Sequence, residues 1–152
     1  MQQPTAEHKK LHAMEGTWTS KEMIHSSAWD PNGGPAKGRI QARVALDGLF
    51  VVSHYEQEKN GRVGYRGLGI YGYDPSQKKW SMQWFDNVTP TVPTPIPGTW
   101  EGDVLTFQMQ GKNGHHRYVY TFVKDGEYAF RIDTSKDGAA WTTYLDAQFT
   151  RK

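Results

Sequence analysis

Cysteine is absent from the 152-residue chain. Disulfides, thiol catalysis and cysteine-ligated metals are excluded with it. The compartment is not fixed by that absence, because a secreted protein need not carry disulfides. Long apolar runs are also missing. Leu49–Phe50–Val51–Val52 is typical of the longest, far short of the roughly 20 residues that span a bilayer as a helix. No block of one charge stands out. Lys and Arg number 18, Asp and Glu 16, and the formal net charge is +2. The signs are interspersed, with basic neighbours only in pairs such as Lys9–Lys10 and Lys78–Lys79. A nucleic-acid partner calls for a basic stripe, so neither nucleic acid nor a membrane surface is expected as partner. The opening Met1–Gln2–Gln3–Pro4 lacks the basic start and apolar segment of a signal peptide. The expectation is a soluble protein, cytoplasmic as the chain stands, or periplasmic or secreted if an export signal was trimmed before Gln2.

What is present points to a globular β protein. Aromatic residues make up 13% of the chain, which excludes intrinsic disorder. Gly at 16 and Pro at 8 are too few for a collagen-like or low-complexity chain. The length fits one domain with one real core. After Glu15, turn signals recur every 8 to 14 residues or so: Asp47–Gly48, Asn60–Gly61, Asp74–Pro75, Gly102–Asp103, Asn113–Gly114, Asp125–Gly126 and Asp137–Gly138. Asn-Gly and Asp-Gly supply the positive φ angles of tight hairpins. Hairpin after hairpin means an antiparallel meander, and a sheet this wide closes into a barrel to remove its edges. The expected strands are 16–25, 38–46, 49–58, 63–73, 79–87, 97–101, 104–110, 115–123, 127–133 and 141–150. The fold class is therefore all-β, a single antiparallel up-and-down barrel of about ten strands with a short N-terminal helix. Residues 1–15 are expected to form a helical segment closing the barrel, and 16–152 the barrel itself. Thr5 is the helix cap, and His8 stands where a capping box would carry Glu or Gln, so no box is expected. The stretch Asn87–Pro97 holds four of the eight prolines and cannot be a central strand. It reads as a rigid surface loop or as a rim over the barrel mouth.

Alternation assigns the strand faces, because residues i and i+2 share a face. Tyr65, Gly67, Gly69 and Tyr71 share one face, as do Trp80, Met82 and Trp84, and His116, Tyr118 and Tyr120. On residues 49–58, His54 falls with Phe50, Val52 and Glu56. On the last strand Thr143, Leu145, Ala147 and Phe149 oppose Tyr144 and Asp146. Tyr, His and Trp stand where a plain core would carry Val, Leu and Ile. Such walls suit a small, largely apolar molecule with one or two hydrogen-bonding groups. Gly67 and Gly69 within a strand need a reason, either a barrel corner or room for a ligand.

Catalytic and cofactor motifs are wanting. There is no Gly-x-Ser-x-Gly, no phosphate loop and no dinucleotide fingerprint. His8 and His12 lack the Glu that a zincin helix requires, so no metal and no cofactor is expected. An enzymatic alternative (isomerase, lyase or hydrolase) would use His54 or His116 as base, with Tyr118 or Arg131 stabilising negative charge.

From Gly16–Thr17–Trp18 a family pattern emerges. It continues through Glu7–Leu11, Met14–Glu15, Leu46–Asp47–Gly48–Leu49–Phe50, Gly69–Asp74, Trp84–Phe85–Asp86 and Gly98–Thr99–Trp100–Glu101–Gly102. These stretches resemble the bacterial family called domain of unknown function 1579, of the lipocalin and calycin kind. The resemblance spans about Pro4 to Arg151. It implies a lipocalin-like barrel with an internal pocket and supplies no activity and no catalytic residues. It also implies that Trp18 closes one barrel end, with Arg151, or Lys152 as second choice, packed across it. Related nitrobindin-like barrels hold haem through a histidine, which leaves His116 or His54 as a lesser haem-binding alternative.

The leading expectation is a small hydrophobic or amphipathic molecule bound inside the barrel by His54, Tyr65, Tyr71, Trp84, His116, Tyr118, Tyr120 and Arg131. Arg131 would pair with a carboxylate or phenolate of the ligand. A filled barrel that dimerises through Trp29 and the Asp30–Pro35 loop is the alternative without a ligand.

Overall fold

Ten strands follow one another and each pairs antiparallel with the next: β1 (Gly16–Ile24), β2 (Gly34–Ala45), β3 (Phe50–Lys59), β4 (Arg62–Asp74), β5 (Lys79–Asp86), β6 (Ile96–Glu101), β7 (Val104–Gly111), β8 (Gly114–Lys124), β9 (Glu127–Ser135) and β10 (Thr142–Arg151). The computed structural model describes all residues from Met1 to Lys152. β10 returns to pair with β1, so the sheet is a closed barrel without free edges. The turns follow the sequence signals. Asn60 (φ 53°) and Gly61 (φ 76°), for example, take the left-handed conformation that a two-residue hairpin needs. β2 begins at Gly34, four residues before the expected start at 38. Gly34–Pro35 reads as a turn, yet Pro35 pairs with Met23 at the very start of the strand, where a missing N–H is tolerated.

Helix α1 (Ala6–Lys10) and a 3-10 turn over Leu11–Met14 precede the barrel. A capping box is present after all. The Thr5 N–H donates to His8 Nδ1 (3.1 Å) and the His8 N–H donates to Thr5 Oγ1 (3.5 Å). An imidazole nitrogen takes the acceptor role that Glu usually fills. Leu11 and Met14 are buried, and the Trp80 indole donates to the Glu7 carbonyl at 3.1 Å. Lys10 lies over the rings of Trp80 and Trp100.

At this N-terminal end the barrel is closed by packed side chains. Trp18 is 1% exposed, donates from Nε1 to the Met14 carbonyl at 2.9 Å and meets the edge of Tyr128 at 4.8 Å. The Arg151 guanidinium covers the indole at 4.5 Å. Leu105, Phe107 and Val51 of the same core cluster are fully buried. Because strand direction alternates, the chain segments 25–33, 60–61, 87–95, 112–113 and 136–141 gather at the opposite end. The barrel is therefore packed at one end and stays open at the other.

Candidate functional site

The open half of the barrel holds a cavity of about 440 Å³, lined by 24 residues of which 18 are hydrophobic. That size lies in the range of small-molecule sites, roughly 300–1,000 Å³. Its depth is aromatic. The Tyr71 and Tyr120 hydroxyls share a hydrogen bond of 2.8 Å, and Tyr120 also reaches the Met82 sulfur at 3.7 Å. Burial pushes the Tyr71 phenol up to about 12. Burial first, and then neighbouring phenols, push Tyr120 higher still. These hydroxyls stay neutral at all ordinary pH values.

Toward the mouth the wall becomes polar in an ordered way. Glu22 is 5% exposed. Its carboxylate accepts from the hydroxyl of Ser20, from the Tyr55 hydroxyl (2.7 Å) and from Gln57 Nε2 (2.8 Å). No cation pairs with it. A Cβ on Gly38 would sit 2.1 Å from Glu22 Oε2, so glycine at that position gives the carboxylate its seat. A second chain of bonds runs beside the first. Trp84 Nε1 donates to the Tyr65 hydroxyl (2.8 Å), which donates to Asp86 Oδ2 (3.1 Å). The Asp86 Oδ1 accepts from the N–H groups of Val88 and Thr89, which ties the proline-rich loop to the rim. Val88 and Thr89 line the cavity, and Gln83 holds the Pro93 carbonyl at 2.8 Å. The loop expected either at the surface or at the rim thus serves the rim.

Trp29 lies across the mouth. Its ring stacks on His116 at 5.5 Å and meets Tyr144 edge-on at 5.2 Å, while 53% of the residue remains exposed. Burial, then the neighbouring His115, lowers the His116 pKa. His116 is therefore a neutral imidazole at neutral pH.

Six of the eight expected pocket residues meet in this cavity: Tyr65, Tyr71, Trp84, His116, Tyr118 and Tyr120. His54 and Arg131 do not. On β3 the buried or lining residues are Val51, Ser53, Tyr55 and Gln57, so alternation turns His54 outward. There it joins Arg39, Gln41 and Glu56 in a polar patch on the outer wall. Phe130 and Ile132 face the cavity, which turns Arg131 outward by the same rule. The four acid–base candidates are accordingly split, with His116 and Tyr118 inside and His54 and Arg131 outside.

Arg131 has a different partner. Its Nε and that of Arg117 both donate to Asp133 Oδ2, at 2.9 and 2.8 Å, and Thr143 donates to Oδ1 at 2.9 Å. Asp133 is 2% exposed. Burial opposes its ionisation, but the bonds from Arg131, Arg117 and Thr143 prevail and hold its pKa below the usual carboxylate range. A depressed folded-state pKa contributes stability above the unfolded value of about 3.9, lost as pH falls through the folded value. Asp133→Asn should cost about 2 kcal/mol at pH 7, less than for a fully buried pair because both guanidiniums touch water. Its stability should also fall less steeply than the wild type's between pH 5 and pH 2 or so. Urea denaturation across that range checks both.

Tyr144 was expected to oppose Leu145 across the strand. The β10 register slips between Thr143 and Leu145, and both Tyr144 and Leu145 line the cavity while Thr143 turns to Asp133. A bulge re-aims side chains in this way. Gly67 and Gly69 lie against aromatic rings. A Cβ on Gly67 would lie 2.0 Å from Trp84 Cζ2, and one on Gly69 would lie 2.7 Å from Tyr71 Cε2 and 3.1 Å from Trp84 Cε3. Both glycines make room for the rings that form the wall. Sequence reading missed Glu22, Tyr55 and Gln57. The signal for Glu22 was available: Trp18, Ser20, Glu22 and Ile24 alternate on one face of β1, and all four are buried.

Haem does not fit these residues. His116 is the only histidine lining the cavity, and its ring is stacked under Trp29 at the rim. No group of three His, Asp or Glu side chains is placed to hold a metal ion. No helix is long and apolar enough to cross a membrane.

Solved structures share the architecture. The crystal structure of Rv2717c from M. tuberculosis aligns with a TM-score of 0.70 at 10% identity, over 97% of this chain and 98% of that one. The S-type phycobiliprotein lyase CPES from Guillardia theta aligns with a TM-score of 0.68, also at 10% identity, over 97% of this chain and 93% of that one. At such identity the likeness concerns the fold alone. No curated protein matches the sequence. The motifs that run from the N-terminal helix to the last strand, folded into this barrel, carry the assignment: the chain belongs to the family described as "Protein of unknown function (DUF1579)", whose sequence profile matches residues 3–151.

Proposed function

We propose that the protein binds a small, mostly apolar molecule in the barrel interior. The molecule passes Trp29 and the loop 87–95 and lies against Tyr65, Tyr71, Trp84, Tyr118 and Tyr120. The N-terminal segment 1–15 seals the far end. The observation that carries this reading is the cavity itself, about 440 Å³ and mainly apolar, with its polar atoms already organised by hydrogen bonds. A barrel serving only as a structural element would fill this space, since interiors are packed as densely as organic crystals. That a phycobiliprotein lyase shares this barrel fold is compatible with an interior that holds a ligand.

Blocking the space tests the proposal. Ala42 lines the cavity and is 8% exposed. Ala42→Phe projects a ring into open volume, so it should fold normally. The fluorescent, uncharged probe phenylnaphthylamine should bind the wild type and quench its tryptophans. Its affinity for Ala42→Phe should drop about tenfold or more, the equivalent of about 1.4 kcal/mol. Equal binding to both proteins, or none to the wild type, contradicts the proposal.

A further inference from the structure

The cavity's charges are of one sign. Glu22 and Asp86 line it, no Lys or Arg does, and its one histidine is neutral at neutral pH. Three neutral groups, from Ser20, Tyr55 and Gln57, hydrogen-bond the Glu22 carboxylate. They bring three hydrogens to a group with about four acceptor positions, and they leave its charge in place. Burying a carboxylate without a counter-charge is costly. The fold nevertheless clears space for it at Gly38.

The rings between the two carboxylates reinforce their field. Tyr55 lies 6.0 Å from both Tyr65 and Trp84, edge-on and tilted, so a run of aromatic rings links the Glu22 end to the Asp86 end. Ring faces carry negative potential and attract cations. The titration of the phenols agrees. Burial first, then the charge of Glu22, raises Tyr55, while burial and Asp86 raise Tyr118.

Building on the cavity reading above, we infer that the ligand is an amphipathic cation, an amine or ammonium group on an apolar body, with its charged end between Glu22 and the Tyr55–Tyr65–Trp84 rings. The cation supplies the counter-charge that the fold omits. An apolar carboxylate, the partner expected for Arg131, would instead face two like charges in a low-dielectric site. The formal net charge of the whole chain is +2, so unspecific attraction favours the anion and cannot mimic this preference.

A matched series tests the inference: decylammonium, decanol and decanoate, titrated at neutral pH against the full chain by tryptophan fluorescence and calorimetry. Decylammonium should bind about tenfold tighter than decanol, and decanoate weakest of the three. Glu22→Gln keeps the shape of the side chain and should bring the affinity for decylammonium close to that for decanol. Asp86→Asn provides a second reading, with a smaller loss for the amine, should the Glu22 variant fail to fold. If decanol or decanoate matches or exceeds decylammonium in the wild type, the charge inference is overturned and the cavity reading stands. If none of the three binds, or if Ala42→Phe binds all three as well as the wild type does, the cavity reading falls and takes this inference with it.

Discussion

Trp18→Ala should destabilise the protein by about 3–5 kcal/mol, the usual cost of deleting a buried tryptophan. For a chain of this length that lowers the melting temperature by roughly 10 °C. The expectation follows from three contacts made by one side chain at the packed end. The indole N–H satisfies the Met14 carbonyl, Tyr128 meets its edge, and Arg151 covers its face. Deleting the ring removes all three and opens a void that neighbouring strands cannot close. It also strands Arg151. Its Nε is buried without a hydrogen-bond partner, while its terminal nitrogens hold Asp125 (3.0 Å) and the Ala13 carbonyl (3.2 Å). With the ring gone, the guanidinium loses the surface that orients it. Trp18→Phe should recover most of the loss and leave a deficit of about 1 kcal/mol for the missing hydrogen bond. Thermal and urea denaturation measure both variants. A loss below about 1 kcal/mol for Trp18→Ala would show that the packed end does not hold the barrel together.

Gly67→Ala is the second large effect. One added carbon at 2.0 Å from Trp84 Cζ2 cannot be accommodated without moving the indole. Forcing the ring aside should cost about 2–3 kcal/mol, at the upper end for overpacking. The displaced indole loses its bond to the Tyr65 hydroxyl and swings into the cavity, so probe affinity should fall as well. A double-mutant cycle separates this from backbone effects. In a Trp84→Ala background, Gly67→Ala should cost less than about 0.5 kcal/mol. An unchanged cost there would mean that the strand itself requires glycine at this position.

The sequence made the barrel legible because its signals are local and repeated. A tight turn announces most of the strands, and Trp18 pairs with Arg151 where the sheet closes. Inward faces were legible wherever a strand alternates cleanly, as with Trp80, Met82 and Trp84 or with Tyr118 and Tyr120. They failed where alternation was ambiguous or interrupted. On β3 both parities are apolar near Phe50, and the aromatic residue suggests the wrong one. Phe50 is 37% exposed, whereas Val51 is fully buried. The pairing Ile40↔Tyr55 and Ala42↔Ser53 settles it, since directly opposed residues share a face. Counting back from the short connection at 46–49 would have placed His54 outside. The slip at Tyr144 is a bulge with no marker residue and is visible only in the paired register. Glu22 was overlooked for a chemical reason. A lone Glu in a strand reads as a solvent-facing group, because carboxylates are rarely buried unpaired. Its burial is also what singles out the polar end of the site.

The central claim is that the cavity, not the outer wall, receives the ligand, and methyl-resolved NMR tests it most directly. Met82, Ile132 and Leu145 line the cavity, while Val63 and Val123 are exposed and lie outside it. On titration with decylammonium, the methyl signals of Met82, Ile132 and Leu145 should shift together and saturably, with nuclear Overhauser contacts to the decyl chain. Those of Val63 and Val123 should stay in place. Shifts confined to Val63, Val123 and other outer-wall methyls would contradict the account.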